Sequence, residues 1–179
     1  MTDPGTADAW FDAALVEEAA KKSALVWIAV PGHAARPVWH VWHDGAVLVL
    51  QQRTGGGVEQ HLPGLAEAAA VEVTVRSKDK GGRLVAWAAD VAVLTPGAAA
   101  WDAAAAALHG ERLNAHDGDA QPDRWARDCV IVRIGPARAI AHGAGLPAGS
   151  QAAAPVPSPA KTRGAAPRNY SFGKRLRGR

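Results

Sequence analysis

Cysteine is almost absent from this 179-residue chain: Cys129 stands alone, so no internal disulfide can form. A reducing, cytoplasmic setting is the expectation. Tyrosine and methionine occur once each and phenylalanine twice, against seven tryptophans, so tryptophan must supply most of the large aromatic surface. No uninterrupted apolar run approaches the roughly 20 residues of a membrane helix. Even 98–108 is short and dominated by alanine, so no membrane span is expected. The N-terminus pairs no basic region with a long apolar one, as a secretory leader would. Standard catalytic signatures are missing too: no Gly-x-Ser-x-Gly elbow, no lysine placed after the glycines as in a phosphate-binding P-loop, no His-Glu-x-x-His helix and no zinc-type cysteine pair. Hydrolase and nucleotidase chemistry are therefore disfavoured, and no residue stands out as an obligatory acid or base.

Acidic residues are lacking in one region. Beyond Leu146 the chain carries Lys161, Arg163, Arg168, Lys174, Arg175, Arg177 and Arg179 and no acid, so residues 1–146 hold 13 basic and 17 acidic side chains, a balance of −4. The overall charge of +3 thus belongs to the tail. With its proline-alanine stretch at 152–159, the segment 147–179 reads as a disordered basic tail. Its arginines and lysines around Tyr170 and Phe172 suit weak binding of a polyanion or docking to a protein. The body, 1–146, reads as one domain.

What is present in the body is a succession of strand patterns. Thr6 caps a helix running to about Lys22, with Trp10, Ala14 and residues 16–20 on its apolar face, and this helix is expected to lie against the sheet. Residues 23–30 form a first strand, 36–43 a second and 46–52 a third, the last two joined by a tight Asp44-Gly45 turn. The second and third carry apolar bulk on both faces, as in a closed barrel or against another subunit. A glycine-rich loop, 53–65, leads through a short alanine helix to an alternating strand in which Val71, Val73 and Val75 face inward. Lys80-Gly81-Gly82 supplies a hairpin turn into a long strand, 83–94. A helix follows from Pro96 to about Leu108, then a polar loop over 114–123, a helical piece at 124–127 and a final strand, 129–134, stopped by Gly135-Pro136. The fold class is therefore mainly β (α+β): a six-stranded antiparallel split β-barrel with peripheral helices. The β-α alternation of a doubly wound sheet is missing.

The order of hairpin, polar loop with Gly55-Gly56-Gly57 and Leu62-Pro63-Gly64-Leu65, and returning strand resembles the pyridoxamine 5'-phosphate oxidase-like split β-barrel family, which binds FMN or a deazaflavin. Residues 112–114 with 124–127 resemble the C-terminal part of an uncharacterised actinobacterial branch. The resemblance implies a homodimer with the flavin or deazaflavin across the second and third strands at the interface, and hydride transfer to or from a small-molecule substrate. It places Val38, Trp39 and His40 against the ring, with Gln51 and Gln52 at its rim. Arg53, Thr54, Gln60, His61, Arg76, Ser77 and Lys78 become phosphate or ribityl ligands. The chain departs from the family's pattern at Glu59-Gln60-His61, where many relatives carry a lysine or arginine, and Glu59 is expected to repel a phosphate. A non-catalytic, cofactor-carrying or cofactor-free binding module is the alternative.

Other residues have structural readings. His40 and His43 fall on opposite faces of a regular strand, which argues against a metal pair. Trp39, Trp42 and Trp87 read as core or interface packing, and Cys129 as an inert buried thiol. His116, Asp117 and Asp119 have the character of a turn.

Overall fold

The computed structural model describes residues 4–77, 82–113 and 117–142. Among these lie helix α1 (Pro4–Lys22), strands β1 (Leu25–Ala29), β2 (Arg36–Trp39), β3 (Val41–His43), β4 (Ala46–Gln52), β5 (Ala70–Arg76) and β6 (Arg83–Leu94), helices α2 (Ala99–Gly110) and α3 (Gln121–Asp128), and strand β7 (Cys129–His142). A short 3-10 turn, Gly118–Ala120, leads into α3. The strands form one antiparallel sheet in the order β2-β1-β5-β6-β7-β4-β3, curled in the manner of a split barrel. The basic tail, 147–179, lies outside the described residues.

Seven strands rather than six result from a break at His40. The stretch 36–43 does not run as one strand: β2 pairs with β1, Val38 opposite Val26, while β3 pairs with β4, Val41 opposite Leu48. The two halves therefore sit at opposite ends of the strand order, and the chain passes from one to the other at His40. The Asp44-Gly45 turn does form, with φ of +46° and +68°, the left-handed pair that a two-residue hairpin needs.

Three further expectations change. No helix forms between β4 and β5; residues 63–67 make turns, because Pro63 and Gly64 interrupt the segment. The region 114–123 is not wholly a loop, since α3 begins at Gln121 with Pro122 in its first turn. Most consequential, β7 passes through Gly135-Pro136 to His142. It can do so because β6, twelve residues long, offers a partner throughout. Ile134 lies opposite Val91 and Ala137 opposite Ala89, then Arg138 opposite Ala88 and Ala141 opposite Ala86, so β7 inserts one extra residue at each of two points. Pro136, which has no N–H, falls in the first of these bulges.

Burial follows the alternation. Inside the curl, Val26, Ile28, Val47, Val49, Val73, Val85 and Trp87 pack with Val16 and Ala20 of α1. On the other side of β4 and β7, Leu48, Leu50 and Ile131 pack with Trp101 and Leu108 of α2 and Trp125 of α3. Helices, within this one chain, thus explain why β4 is apolar on both faces. Trp10 is not part of the core: it is 74% exposed, as Phe11 is largely, because α1 reaches the sheet through its C-terminal half.

Candidate cofactor site

Beyond β4 the chain folds back on its own end. The Gln52 N–H donates to the Gln60 carbonyl at 2.8 Å, and the Arg53 N–H to the Asp128 carbonyl at 3.2 Å. Gln60 then turns its carboxamide across the gap between β2 and β4: its Oε1 accepts from the Trp39 N–H at 2.9 Å, and its Nε2 donates to the carbonyls of Trp39 at 2.8 Å and Leu50 at 3.0 Å. The glycines permit close approach. A Cβ on Gly57 would come within 2.2 Å of the Gln52 side chain.

Glu59 is the least exposed acid at the site, with its side chain only 1% accessible. Its Oε2 accepts from Arg112 Nη2 at 2.5 Å, and its Oε1 accepts from Arg124 Nη2 and Trp125 Nε1, each at 3.1 Å. A buried carboxylate survives where such charge-assisted donors replace its hydration. Arg124 also pairs with Asp117, and that hydrogen bond, with Glu59 adding to it against the opposing effect of burial, holds its guanidinium above the usual arginine range. Arg112 lies over the Trp39 ring at 4.9 Å. One carboxylate thus ties the glycine-rich loop to the connection between α2 and α3, to α3 itself and, through Arg112, to the end of β2. The expectation that Glu59 repels a loop-bound phosphate is corrected: its charge is already met by two arginines.

The twelve residues implied by the resemblance divide among several places. Val38 points into the interior core. His40 is 6% exposed; its Nε2 lies 3.0 Å from the Ala20 carbonyl, while Nδ1 is buried without a partner. Burial holds its pKa below the ordinary histidine value, against the opposing pull of the Ala20 bond, so Nε2 carries the hydrogen and donates it. Trp39 is only partly buried and packs beside α2, so of these three it alone is open to a large ligand. Trp39 and His40 line a hollow of about 550 Å³ with Trp42, Lys21, Lys22 and Glu111.

Gln51, Arg53 and His61 line a different hollow, about 600 Å³, with Leu62, Pro63 and Val130 among its walls. Gln51 is buried and accepts from the Leu62 N–H at 3.1 Å. Arg53 anchors through Nε on the Arg127 carbonyl at 3.3 Å, leaving its terminal nitrogens for a ligand. His61 holds the Gln52 carbonyl through Nδ1 at 3.1 Å. Thr54 is exposed nearby in sequence, and Gln52 is partly buried, its Oε1 3.8 Å from the Cys129 sulfur. That thiol is pushed up to about 11, chiefly by burial and then by Glu59, which makes it a poor nucleophile.

Arg76 belongs to a third place, stacked on Trp27 at 4.2 Å. The register Trp27–Thr74 on one side and Leu25–Trp39 on the other brings Arg76, Leu25 and Trp39 into one row across β5, β1 and β2. Ser77 donates its N–H to the Gly82 carbonyl at 2.7 Å, and Lys78 lies outside the described residues. Among the described residues no group of three or more histidine, cysteine or acidic side chains could hold a metal, and no helix is long and apolar enough to cross a membrane.

In the 600 Å³ hollow the Arg53 guanidinium and the His61 imidazole stand beside apolar wall, a donor set that suits an anionic group, with the Glu67 carboxylate also in the lining. Sequence reasoning missed the Glu59 cluster, whose other members lie 53 to 66 residues beyond Glu59. Their one signal was an acid where a cation was expected, matched by arginines flanking a later helix.

No protein-family model matches the chain, and no curated protein matches it. Solved structures do. The heme storage protein HutZ of Vibrio cholerae superposes with a TM-score of 0.51 at 14% identity, over 71% of this chain and 91% of that one. An F420 reductase gives 0.44 at 15% identity, over 70% and 94%. What the chain shares with HutZ at that identity is its fold.

Proposed function

We propose that this is a cofactor-binding split-barrel protein of oxidoreductase type, taking FMN or a deazaflavin, with its anionic side at Arg53, Thr54 and His61. The observation that carries this reading is the hollow at the end of β4, where Arg53 and His61 open beside Leu62, Pro63 and Val130. A bound flavin or deazaflavin supplies hydride chemistry. The chain's own contribution is to bind and orient it: Arg53 meets the negative charge, Gln51 stiffens the wall, and the loop held by Glu59 shields the site from water. The exposed Leu25 and Pro37 on the outer face of β1 and β2 suit a second copy of the chain, giving the homodimer in which such a site would be completed.

An absorption spectrum of the purified protein, with tryptophan-fluorescence titrations of FMN, riboflavin and the F420-type deazaflavin, tests this. Saturable quenching is expected, with FMN above riboflavin and a loss of about tenfold in Arg53→Gln, the effect of one charge-assisted contact. A colourless protein that neither cofactor quenches would sink the reading. One observation favours a non-catalytic binding module instead: Glu59 and Gln60 are spent on internal bonds, so among the described residues Arg53 is the loop's one permanent cation. In that case bound cofactor is carried without turnover, and the basic tail supplies docking to a polyanion or protein.

A further inference from the structure

Where β5 turns over into β6, two arginines come opposite each other. Arg76 and Arg83 are cross-strand partners, at the point where the register slips between Val75 and Arg76. Like charges placed directly opposite on a sheet repel, so such a pair needs a compensating anion. Among the described residues none is there: the ion pairs of Arg112, Arg124 and Arg138 use Glu59, Asp117 and Asp90, and no described carboxylate pairs with Arg76 or Arg83. Both Nε atoms are also buried without a hydrogen-bond partner. A buried donor in that state is stabilised by any acceptor brought to it, and a bound anion can supply one. Trp27 adds orientation. Its ring lies 4.2 Å beneath the Arg76 guanidinium, which fixes the guanidinium plane and leaves the in-plane N–H groups for a ligand.

We propose that Arg76 and Arg83 form a phosphate-binding site, with Trp27 as the residue that positions Arg76. Two guanidinium forks match a phosphomonoester in charge and geometry, whereas a carboxylate would neutralise only one of them. The phosphate comes from a phosphorylated small substrate or, should the cofactor's anionic side not lie at Arg53, from the cofactor. The site itself stands whether or not a flavin binds near Arg53, and inorganic phosphate probes it without one.

The full chain at low ionic strength is titrated with inorganic phosphate and, in parallel, with acetate, following tryptophan fluorescence and phosphorus NMR linewidth. Saturable phosphate binding is expected, weakened at least about tenfold in Arg76→Gln and in Arg83→Gln, with acetate much weaker. Arg138→Gln, which removes a guanidinium paired with Asp90, should bind as the wild type does. No saturable binding, or the same affinity in a folded Arg83→Gln, overturns the site; Arg83, at the start of its strand, serves alone if Arg76→Gln fails to fold. Trp27→Leu should weaken phosphate while leaving the acetate response unchanged, and unchanged phosphate affinity there removes the role given to Trp27. FMN and riboflavin then distinguish the sources. If Arg83→Gln abolishes the preference for FMN, the phosphate is the cofactor's; if the preference persists while inorganic phosphate no longer binds, it is a substrate's.

Discussion

Replacing Glu59 with alanine should destabilise the domain more than any other single change in the glycine-rich loop. The carboxylate is 1% exposed and accepts three hydrogen bonds, from Arg112, Arg124 and Trp125. Removing one partner of a fully buried ion pair costs about 3–5 kcal/mol. Two features reduce that here: the Arg112 and Arg124 side chains are 23% and 16% exposed, so water reaches them, and Arg124 keeps Asp117. A loss of about 2–3 kcal/mol remains, which lowers Tm by roughly 6–10 °C for a domain of this size. Glu59→Gln, which keeps an acceptor and loses the charge, should fall about halfway. Urea unfolding measures both, as a drop in midpoint at constant slope. The double variant Glu59→Ala with Arg112→Ala should show a coupling of about 1–2 kcal/mol. If Glu59→Ala lies within about 0.5 kcal/mol of the wild type, or the two changes simply add, the loop is not held by this carboxylate.

His40 gives a pH prediction. Its folded-state pKa is lowered by burial, so unfolding takes up a proton as the pH falls through the ordinary histidine value. Stability therefore declines below about pH 6.5, with a slope of at most about 1.4 kcal/mol per pH unit; His40→Asn should flatten the profile between pH 7.5 and 5.5, and an unchanged slope would refute it. Gly135→Ala and Gly57→Ala should differ sharply in urea. A Cβ on Gly135 would sit 2.8 Å from the Ala46 Cβ and 3.2 Å from its Cα, within a paired strand that cannot yield, for a loss of about 2 kcal/mol. At Gly57 the obstacle is the Gln52 side chain, which can swing aside, so the loss should stay below about 1 kcal/mol.

The strands that read clearly in the sequence are those whose pattern is local. The alternation of β5 and the Asp44-Gly45 turn need only neighbouring residues to be understood, and both formed as expected. The break at His40 did not show, because an apolar run looks the same whether its two halves pair with one strand or with two different ones. Pro136 misled in the opposite direction: a residue that lacks an N–H reads as a stop, yet a bulge accommodates it when the partner strand is long. At the site, the cationic character of Arg53 and Arg76 was legible from residue type. The roles of Glu59 and Gln60 were not, since both depend on groups far away in the chain that only the folded sheet brings within reach.

The Gln60 carboxamide has a consequence for how this protein behaves at high concentration. A sheet whose first and last strands are joined by a single residue has two free edges, and free edges recruit strands from other molecules. At the Trp39 end of β2 the N–H and C=O that would invite such pairing are already occupied, by a side chain that imitates a peptide group. Resistance to edge-to-edge aggregation at that seam thus rests on one amide and not on the core, and Gln60→Leu should form oligomers while its buried interior remains intact.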